Sequence, residues 1–244
     1  MLKPEELTTV IFDLDGTLRH SVPHGEDMFL DFSASLGAPA DPDSRRKARQ
    51  WAHGYWADSE CLLIDVKTYG KGNTEFWENY AWRQLQALGT PEPQAKEWSP
   101  LIHKHLKENY NPDDVIPNDV LPTLQALREA GFTLGVVTNR TNSVDEYLNE
   151  IGLASTLDFY FAAGDIGTWK PHPEIFYYAL GLANAKPQEA VYVGDNYYAD
   201  VKGANNANIQ PVLIDPRNIF PDIDCPVICT IGELQELLIA EVHS

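Results

Sequence analysis

A doubly wound α/β fold, a parallel sheet with helices on both faces, interrupted by an inserted helical domain, is what this sequence predicts. Three observations point to it. Val10-Ile11-Phe12 is a continuous apolar run of the kind that strands buried on both faces carry, and it stops abruptly at Asp13-Leu14-Asp15-Gly16. Further apolar runs end in polar tips of their own, Leu134-Gly135-Val136-Val137 at Thr138-Asn139-Arg140 and Ala190-Val191-Tyr192-Val193 at Gly194-Asp195-Asn196, while Trp169-Lys170-Pro171 opens an amphipathic stretch. Strand, polar tip, helix, strand is the βαβ pattern, and it brings strand tips far apart in sequence to one edge. About a hundred residues after the first run break that alternation with helical periodicity, enough for a small domain.

The elements follow in order. Residues 8–13 form the first strand. Residues 20–116 form the insertion, with apolar residues at helical spacing over 28–36, 48–56, 76–88 and 98–106. Its connectors are Pro39-Ala40-Asp41-Pro42, Gly70-Lys71-Gly72 and Thr90-Pro91-Glu92-Pro93, and segments 18–25 and 111–118 are its hinges. In the core, strands are expected at 133–137, 159–161, 190–193 and 210–214, and helices at 120–130, 143–151, 173–182 and 198–206. Gly131 marks a helix end and Pro173 a first helical position. A short strand at 227–230 and a helix from Gly232 to about Ala240 close the core, which comprises residues 1–19 and 117–244.

Asp13 and Asp15 carry the first chemical signal. Ligands of open α/β sheets bind beyond the carboxyl ends of strands, and two carboxylates this close repel unless a cation or a shared proton relieves them. On this segment alone a metal or acid/base site and a plain Asp-Gly turn are equal readings. The other polar tips decide between them, because they fall in a recognisable order.

In that order the chain resembles the haloacid dehalogenase superfamily of hydrolases, in its phosphatase-like group with a helical cap after the first motif, which includes phosphoglycolate phosphatase and beta-phosphoglucomutase. Asp13-Leu14-Asp15-Gly16-Thr17 matches the first motif and Thr138-Asn139 the second. Lys170-Pro171-His172-Pro173-Glu174-Ile175-Phe176 matches the third, and Val193-Gly194-Asp195 with Asp200-Val201-Lys202-Gly203-Ala204 the fourth. The matches span Thr9 to about Ile214, apart from the insertion. Arg140 stands where the family often has a small residue, His20 where an acid is common, and Asn208 in place of a frequent glycine. Asn208 is able to adopt the left-handed conformation a glycine would supply.

The resemblance implies a Rossmann-like core and separate duties for the site residues. Asp13 is the nucleophile that forms an aspartyl-phosphate, Asp15 the general acid and base, and Lys170 the cation that offsets charge on phosphate and Asp13. Thr138 supplies a hydroxyl and Asn139 a backbone N–H to the phosphoryl oxygens. Mg²⁺ is the implied cofactor, held by the Asp13 and Asp195 carboxylates and the Asp15 backbone carbonyl. Asp200 orients Lys170 or adjoins the metal, Arg140 reaches the substrate or lies solvated at a helix start, and His20 lies near the site. Dehalogenases of this fold lack a carboxylate at the Asp15 position, so its presence favours phosphate-ester hydrolysis of a small phosphorylated metabolite. A sugar phosphomutase is the alternative, and a non-catalytic phosphate-binding regulator a further one.

Composition narrows the partners. A formal net charge of −18 disfavours nucleic acid and anionic membranes. No stretch approaches the roughly 20 apolar residues of a membrane span, and Met1-Leu2-Lys3-Pro4-Glu5-Glu6 has no signal-peptide pattern, so a cytoplasmic location is expected. Cys61, Cys225 and Cys229 are too few for a four-cysteine zinc site and are read as reduced thiols. In the insertion, Arg45-Arg46-Lys47-Ala48-Arg49 reads as a solvated face and Trp51, Tyr55 and Trp56 as core, while Lys67, Tyr69 and Lys71 are placed in a loop. The sequence leaves oligomeric state open.

Overall fold

A computed structural model describes residues 3–239. The strands are β1 (Thr9–Phe12), β2 (His20–Val22), β3 (Asp113–Val115), β4 (Thr133–Thr138), β5 (Phe159–Ala162), β6 (Ala190–Gly194), β7 (Gln210–Ile214) and β8 (Val227–Ile228). The helices are α1 (Gly25–Ser35), α2 (Pro42–Trp56), α3 (Glu60–Tyr69), α4 (Thr74–Ala87), α5 (Glu92–Asn109), α6 (Val120–Glu129), α7 (Asp145–Glu150), α8 (Ala163–Ile166), α9 (Pro173–Ala183), α10 (Lys202–Asn206) and α11 (Leu234–Leu238). The chain divides into two units, one formed by the segment up to His20 with the segment from Ile116 onward, the other by Ser21–Val115.

The first unit is a six-stranded sheet in the order β5-β4-β1-β6-β7-β8 with every neighbouring pair parallel. All four residues of β1 are buried, and their alternation sends Val10 and Phe12 to one face and Ile11 to the other. On the Phe12 face, Leu134, Val136, Val191, Val193 and Val212 pack with Leu124 and Leu127 of α6 and Leu234 of α11. On the other face, Val137 and Tyr192 pack with Ile175, Phe176 and Ala179 of α9 and Ala204 of α10. Each fully buried large side chain contributes about 1.5–3 kcal/mol relative to exposure. Both faces of a central strand are therefore covered, which is why β1 reads as an unbroken apolar run.

The second unit is helical. Phe29 and Leu30 of α1, Ala48 of α2, Ala81 and Leu85 of α4 and Ala95 and Ile102 of α5 share one core. Asp65 is buried at 1% exposure and accepts from Tyr55 Oη at 3.1 Å and Arg83 Nη2 at 2.9 Å. The aromatic side chains of Trp51, Tyr55, Trp56, Trp77 and Tyr80 form a cluster of tilted and edge-to-face contacts.

Several expectations need correction. Lys67 and Tyr69 lie in α3, not in a loop; Ser59 caps that helix by accepting from the Leu62 N–H, and Gly70 follows it at a φ of 76°. Leu63 and Ile64 on it are exposed and only Asp65 is buried, so α3 has no apolar stripe for periodicity to detect. Thr90-Pro91-Glu92-Pro93 is no pure connector, because α5 begins at Glu92, where Pro in a first turn costs no hydrogen bond. Strands β2 and β3, one in each of the segments 18–25 and 111–118, pair with each other. Residues 198–206 are not one α-helix, since a wide turn of π type over Tyr197–Val201 precedes α10. At the C-terminal end a 3₁₀ turn over Ile231–Glu233 precedes α11, and Ala240 lies outside the described residues. Asn208 takes a φ of 60°, the left-handed conformation expected of it. The three cysteines are free thiols, and among the described residues no helix is long and apolar enough to cross a membrane.

Candidate active site

The parallel register lines up the tips of β4, β1 and β6. Phe12 pairs with Val136 on one side and Val193 on the other, and the Asp13 N–H donates to the Val193 carbonyl at 2.9 Å. Asp13 and Asp195 therefore leave adjacent strands at one edge. Asp13, Asp195 and Asp200 each offer an oxygen within 4.8 Å of the others.

Lys170 reaches this cluster although it lies in the loop before α9. Its side chain is 2% exposed, and the ammonium donates to Asp13 Oδ1 at 2.6 Å, to Asp200 Oδ1 at 2.8 Å and to Tyr192 Oη at 2.9 Å. Three acceptors match the three N–H bonds of an ammonium. The Tyr192 hydroxyl donates to the Val137 carbonyl at 3.0 Å, which leaves the phenol oxygen to accept from Lys170. The loop is set by Asn139, whose side chain donates to the Lys170 carbonyl at 2.9 Å and accepts from the Lys170 N–H at 2.8 Å. That clamp is a role sequence reasoning missed, having considered only the Asn139 backbone.

Asp200 has both oxygens engaged, one by Lys170 and the other by the Asn196 N–H at 2.9 Å. It is thus an orienting partner for Lys170 that also ties down the turn after β6. The side chain of Asn196 accepts from the Tyr198 and Ala199 N–H groups and shapes that turn.

Asp15 pairs with other cations. Arg140 holds it with a fork, Nε on Oδ2 at 2.8 Å and Nη2 on Oδ1 at 2.7 Å, and Arg19 Nη1 lies 3.3 Å from Oδ1. Thr138 Oγ1 makes a long contact of 3.5 Å to Oδ2. The solvated reading of Arg140 is therefore corrected: an arginine fork matches a carboxylate, and that pairing outweighs exposure at the start of a helix. His20 begins β2, beyond the turn that carries Asp15. Arg19, Tyr147 and Tyr192 were not anticipated. The only hint of Arg19 was a cation four residues after Asp15.

Burial acts on two of the carboxyl groups in the same direction. Burial, with repulsion from Asp200 and Asp15, pushes the Asp13 carboxyl up to about 7 against the pull of Lys170. Burial, with the charges of Asp13 and Asp200, holds Asp195 well above the usual carboxylate range. Burial opposes the charge on Lys170 as well, but Asp13 and Asp200 outweigh it and hold its pKa well above that of an ordinary lysine. Three carboxyl groups crowd one buried cation, burial and mutual repulsion hold two of them against ionisation, and all the donors are hard oxygens, so the residues fit a divalent cation that would relieve that repulsion.

Two glycines leave room for this arrangement. A Cβ on Gly16, which has a φ of 90°, would collide with the Asp195 carboxylate, and one on Gly194 would collide with that of Asp200. Gly16→Ala should therefore weaken divalent-cation affinity by about tenfold or more, since the methyl displaces Asp195 and the backbone conformation is strained. Titration calorimetry with Mn²⁺ or Mg²⁺ measures it, and unchanged affinity would exclude Asp195 as a ligand.

A family profile described as haloacid dehalogenase-like hydrolase matches residues 7–208. The chain is 40% identical over 234 residues to a glyceraldehyde 3-phosphate phosphatase of Methanopyrus kandleri, covering 90% of this chain and 91% of that protein. It is 34% identical to a phosphoserine phosphatase of Thermus thermophilus, over 95% of this chain and 98% of the relative. Among solved structures, a 2-haloacid dehalogenase from Pseudomonas syringae pv. tomato superposes with a TM-score of 0.55 at 26% identity, over 96% of this chain and 99% of the other. With the motifs on adjacent strand tips and a match of this extent, the chain belongs to the haloacid dehalogenase-like hydrolases.

Proposed function

We propose that the protein is a Mg²⁺-dependent phosphatase that hydrolyses a small phosphorylated metabolite through an aspartyl-phosphate on Asp13. The observation that carries this reading is Lys170 Nζ at 2.6 Å from Asp13 and 2.8 Å from Asp200, inside an acidic cluster at the strand tips. A nucleophile, a fixed cation and a set of oxygen ligands meet there. The phosphatase relatives support the same class of reaction.

Asp13 and Asp195, with the Asp15 backbone carbonyl, are the groups that would hold Mg²⁺. When bound, the ion would neutralise charge on the phosphoryl oxygens and orient the phosphate. Asp13 attacks phosphorus in line; the Asp13–P bond forms, the ester P–O bond breaks, and the departing oxygen takes a proton from Asp15. Asp15, now ionised, accepts a proton from the water that attacks the phosphoenzyme. The Asp13–P bond breaks, inorganic phosphate leaves, and Asp15 holds a proton again. Thr138 and the Asn139 N–H bind phosphoryl oxygens, and Lys170 offsets charge on the phosphate and Asp13. The helical insertion, residues 20–116, is the part of the chain we assign to choosing the leaving group, the core being residues 1–19 and 117–244.

Phosphorylated metabolites assayed with Mg²⁺ for inorganic phosphate test this reading. Release from at least one small phosphate ester is expected, with label from H₂¹⁸O found in the phosphate. A hexose 1-phosphate that is isomerised without phosphate release would replace the hydrolase by a mutase. No release across the panel would leave phosphate binding without turnover.

A further inference from the structure

Asp15 is held by more than its turn requires. Both of its oxygens face the Arg140 fork at 2.7 and 2.8 Å, and Arg19 adds a second guanidinium. A single residue organises both cations. The Arg140 guanidinium lies 4.1 Å from the centre of the Tyr147 ring, and Arg19 Nε donates to Tyr147 Oη at 2.9 Å. Tyr147 is carried by α7, whose Leu148 is buried in the Phe12-side core, so the ring stands on a rigid base. A guanidinium stacked on an aromatic ring and forked onto a carboxylate is fixed in plane and direction.

We propose that Arg140, seated on Tyr147 and seconded by Arg19, is a positioning residue that fixes the Asp15 carboxylate for proton transfer. The assignment rests on the acid/base role of Asp15 proposed above. A carboxylate with one χ1 and a free terminal torsion otherwise sweeps a wide arc, whereas proton transfer needs it within hydrogen-bond reach of the ester oxygen and later of the water. The Arg140 fork restricts both torsions. The Arg140 side chain pairs with Asp15 and Tyr147, whereas Lys170 pairs with Asp13, Asp200 and Tyr192, so loss of Arg140 should spare attack on phosphorus and slow the proton-dependent steps.

The test compares 4-nitrophenyl phosphate, whose phenolate leaves without a proton, with 2-phenylethyl phosphate, whose alkoxide needs one. For Arg140→Ala, kcat on the alkyl ester should fall by about 30-fold with KM within about threefold, a part of the usual general-acid contribution. The burst of nitrophenolate should keep its rate within about threefold, while the steady state after it slows because water attack also uses Asp15. Arg140→Lys, which keeps charge without the fork, should lie between, and millimolar guanidinium should restore part of the alanine variant's alkyl-ester turnover. Equal losses in burst and alkyl turnover, a loss confined to KM, or an alanine variant as fast as the native protein would overturn the assignment. Should Arg140→Ala not fold, Tyr147→Leu removes the seat and should give the same split between esters. Asp15→Asn with undiminished alkyl-ester turnover, or Asp13→Asn with activity, would instead sink the underlying mechanism.

Discussion

Asp13→Asn is expected to lower phosphate release by about 10⁴-fold or more while the protein stays folded, because the substitution removes the nucleophile and nothing that packing needs. Asparagine is nearly isosteric, and its carbonyl can accept from Lys170. The stability consequence has a definite sign. Burial and the charges of Asp200 and Asp15 act against an ionised Asp13, and Lys170 is the group that favours it. Neutralising position 13 therefore relieves repulsion among the carboxylates and relaxes part of the hold on Lys170, which keeps Asp200 as its counter-ion. In metal-free protein the melting temperature should stay within a few degrees of native or rise. With Mg²⁺ the native protein should gain more than the variant, since a ligand stabilises by binding the folded state and the variant has lost a carboxylate donor. Phosphate assays and calorimetry with and without chelator check both halves. Turnover retained within tenfold would remove Asp13 from the reaction, and a large drop in melting temperature would recast it as structural.

What the sequence made legible and what it hid divide along physical lines. Strands buried on both faces and ending in Asp, Thr or Gly-Asp were readable because apolar runs and their stops are local signals. Parallel pairing of β1 with β4 and β6 then fixed the company Asp13 keeps. Lys170 was readable only through the order of motifs, since nothing in Trp169-Lys170-Pro171 indicates that its side chain ends buried, with the ammonium among Asp13, Asp200 and Tyr192. The side chains that arrange these groups were hidden. Tyr192 looked like one more strand residue, Asn139 like a backbone donor, and Tyr147 like a helix aromatic, yet each makes a contact at more than thirty positions' separation. Such contacts depend on which helix lands over which strand tip, and periodicity carries no record of that. Helix α3 was missed for a related reason: its exposed Leu63 and Ile64 and buried Asp65 invert the pattern by which a helix is recognised.

Lys170→Met tests whether the buried ammonium is what allows the acidic cluster to exist. The ammonium and the Asp200 carboxylate are each 2% exposed at the side chain and Asp13 9%, so solvent screens their interaction little. Methionine of similar length fills the space but leaves three carboxylates facing one another. Removing one partner of a buried ion pair costs about 3–5 kcal/mol, because the charge left behind stays desolvated. At roughly 2–4 °C per kcal/mol for a chain of this size, the metal-free variant should melt on the order of 10 °C below native. A divalent cation should recover a larger share of that loss than it adds to the native protein, since it supplies the positive charge the variant lacks. Asp200→Asn added to Lys170→Met should restore stability rather than subtract further, because the double variant no longer buries the charge that lysine paired; the interaction should therefore be strongly non-additive. Activity should fall in all of these variants, so melting temperature in chelator, followed by Mg²⁺ titration, is the informative measurement. A Lys170→Met protein that melts with the native one in chelator would mean that the carboxylates take up protons at no cost to the fold. The ammonium would then serve the bound phosphate alone, and the stability of the acidic cluster would have to come from the strand tips and the Asn196 turn.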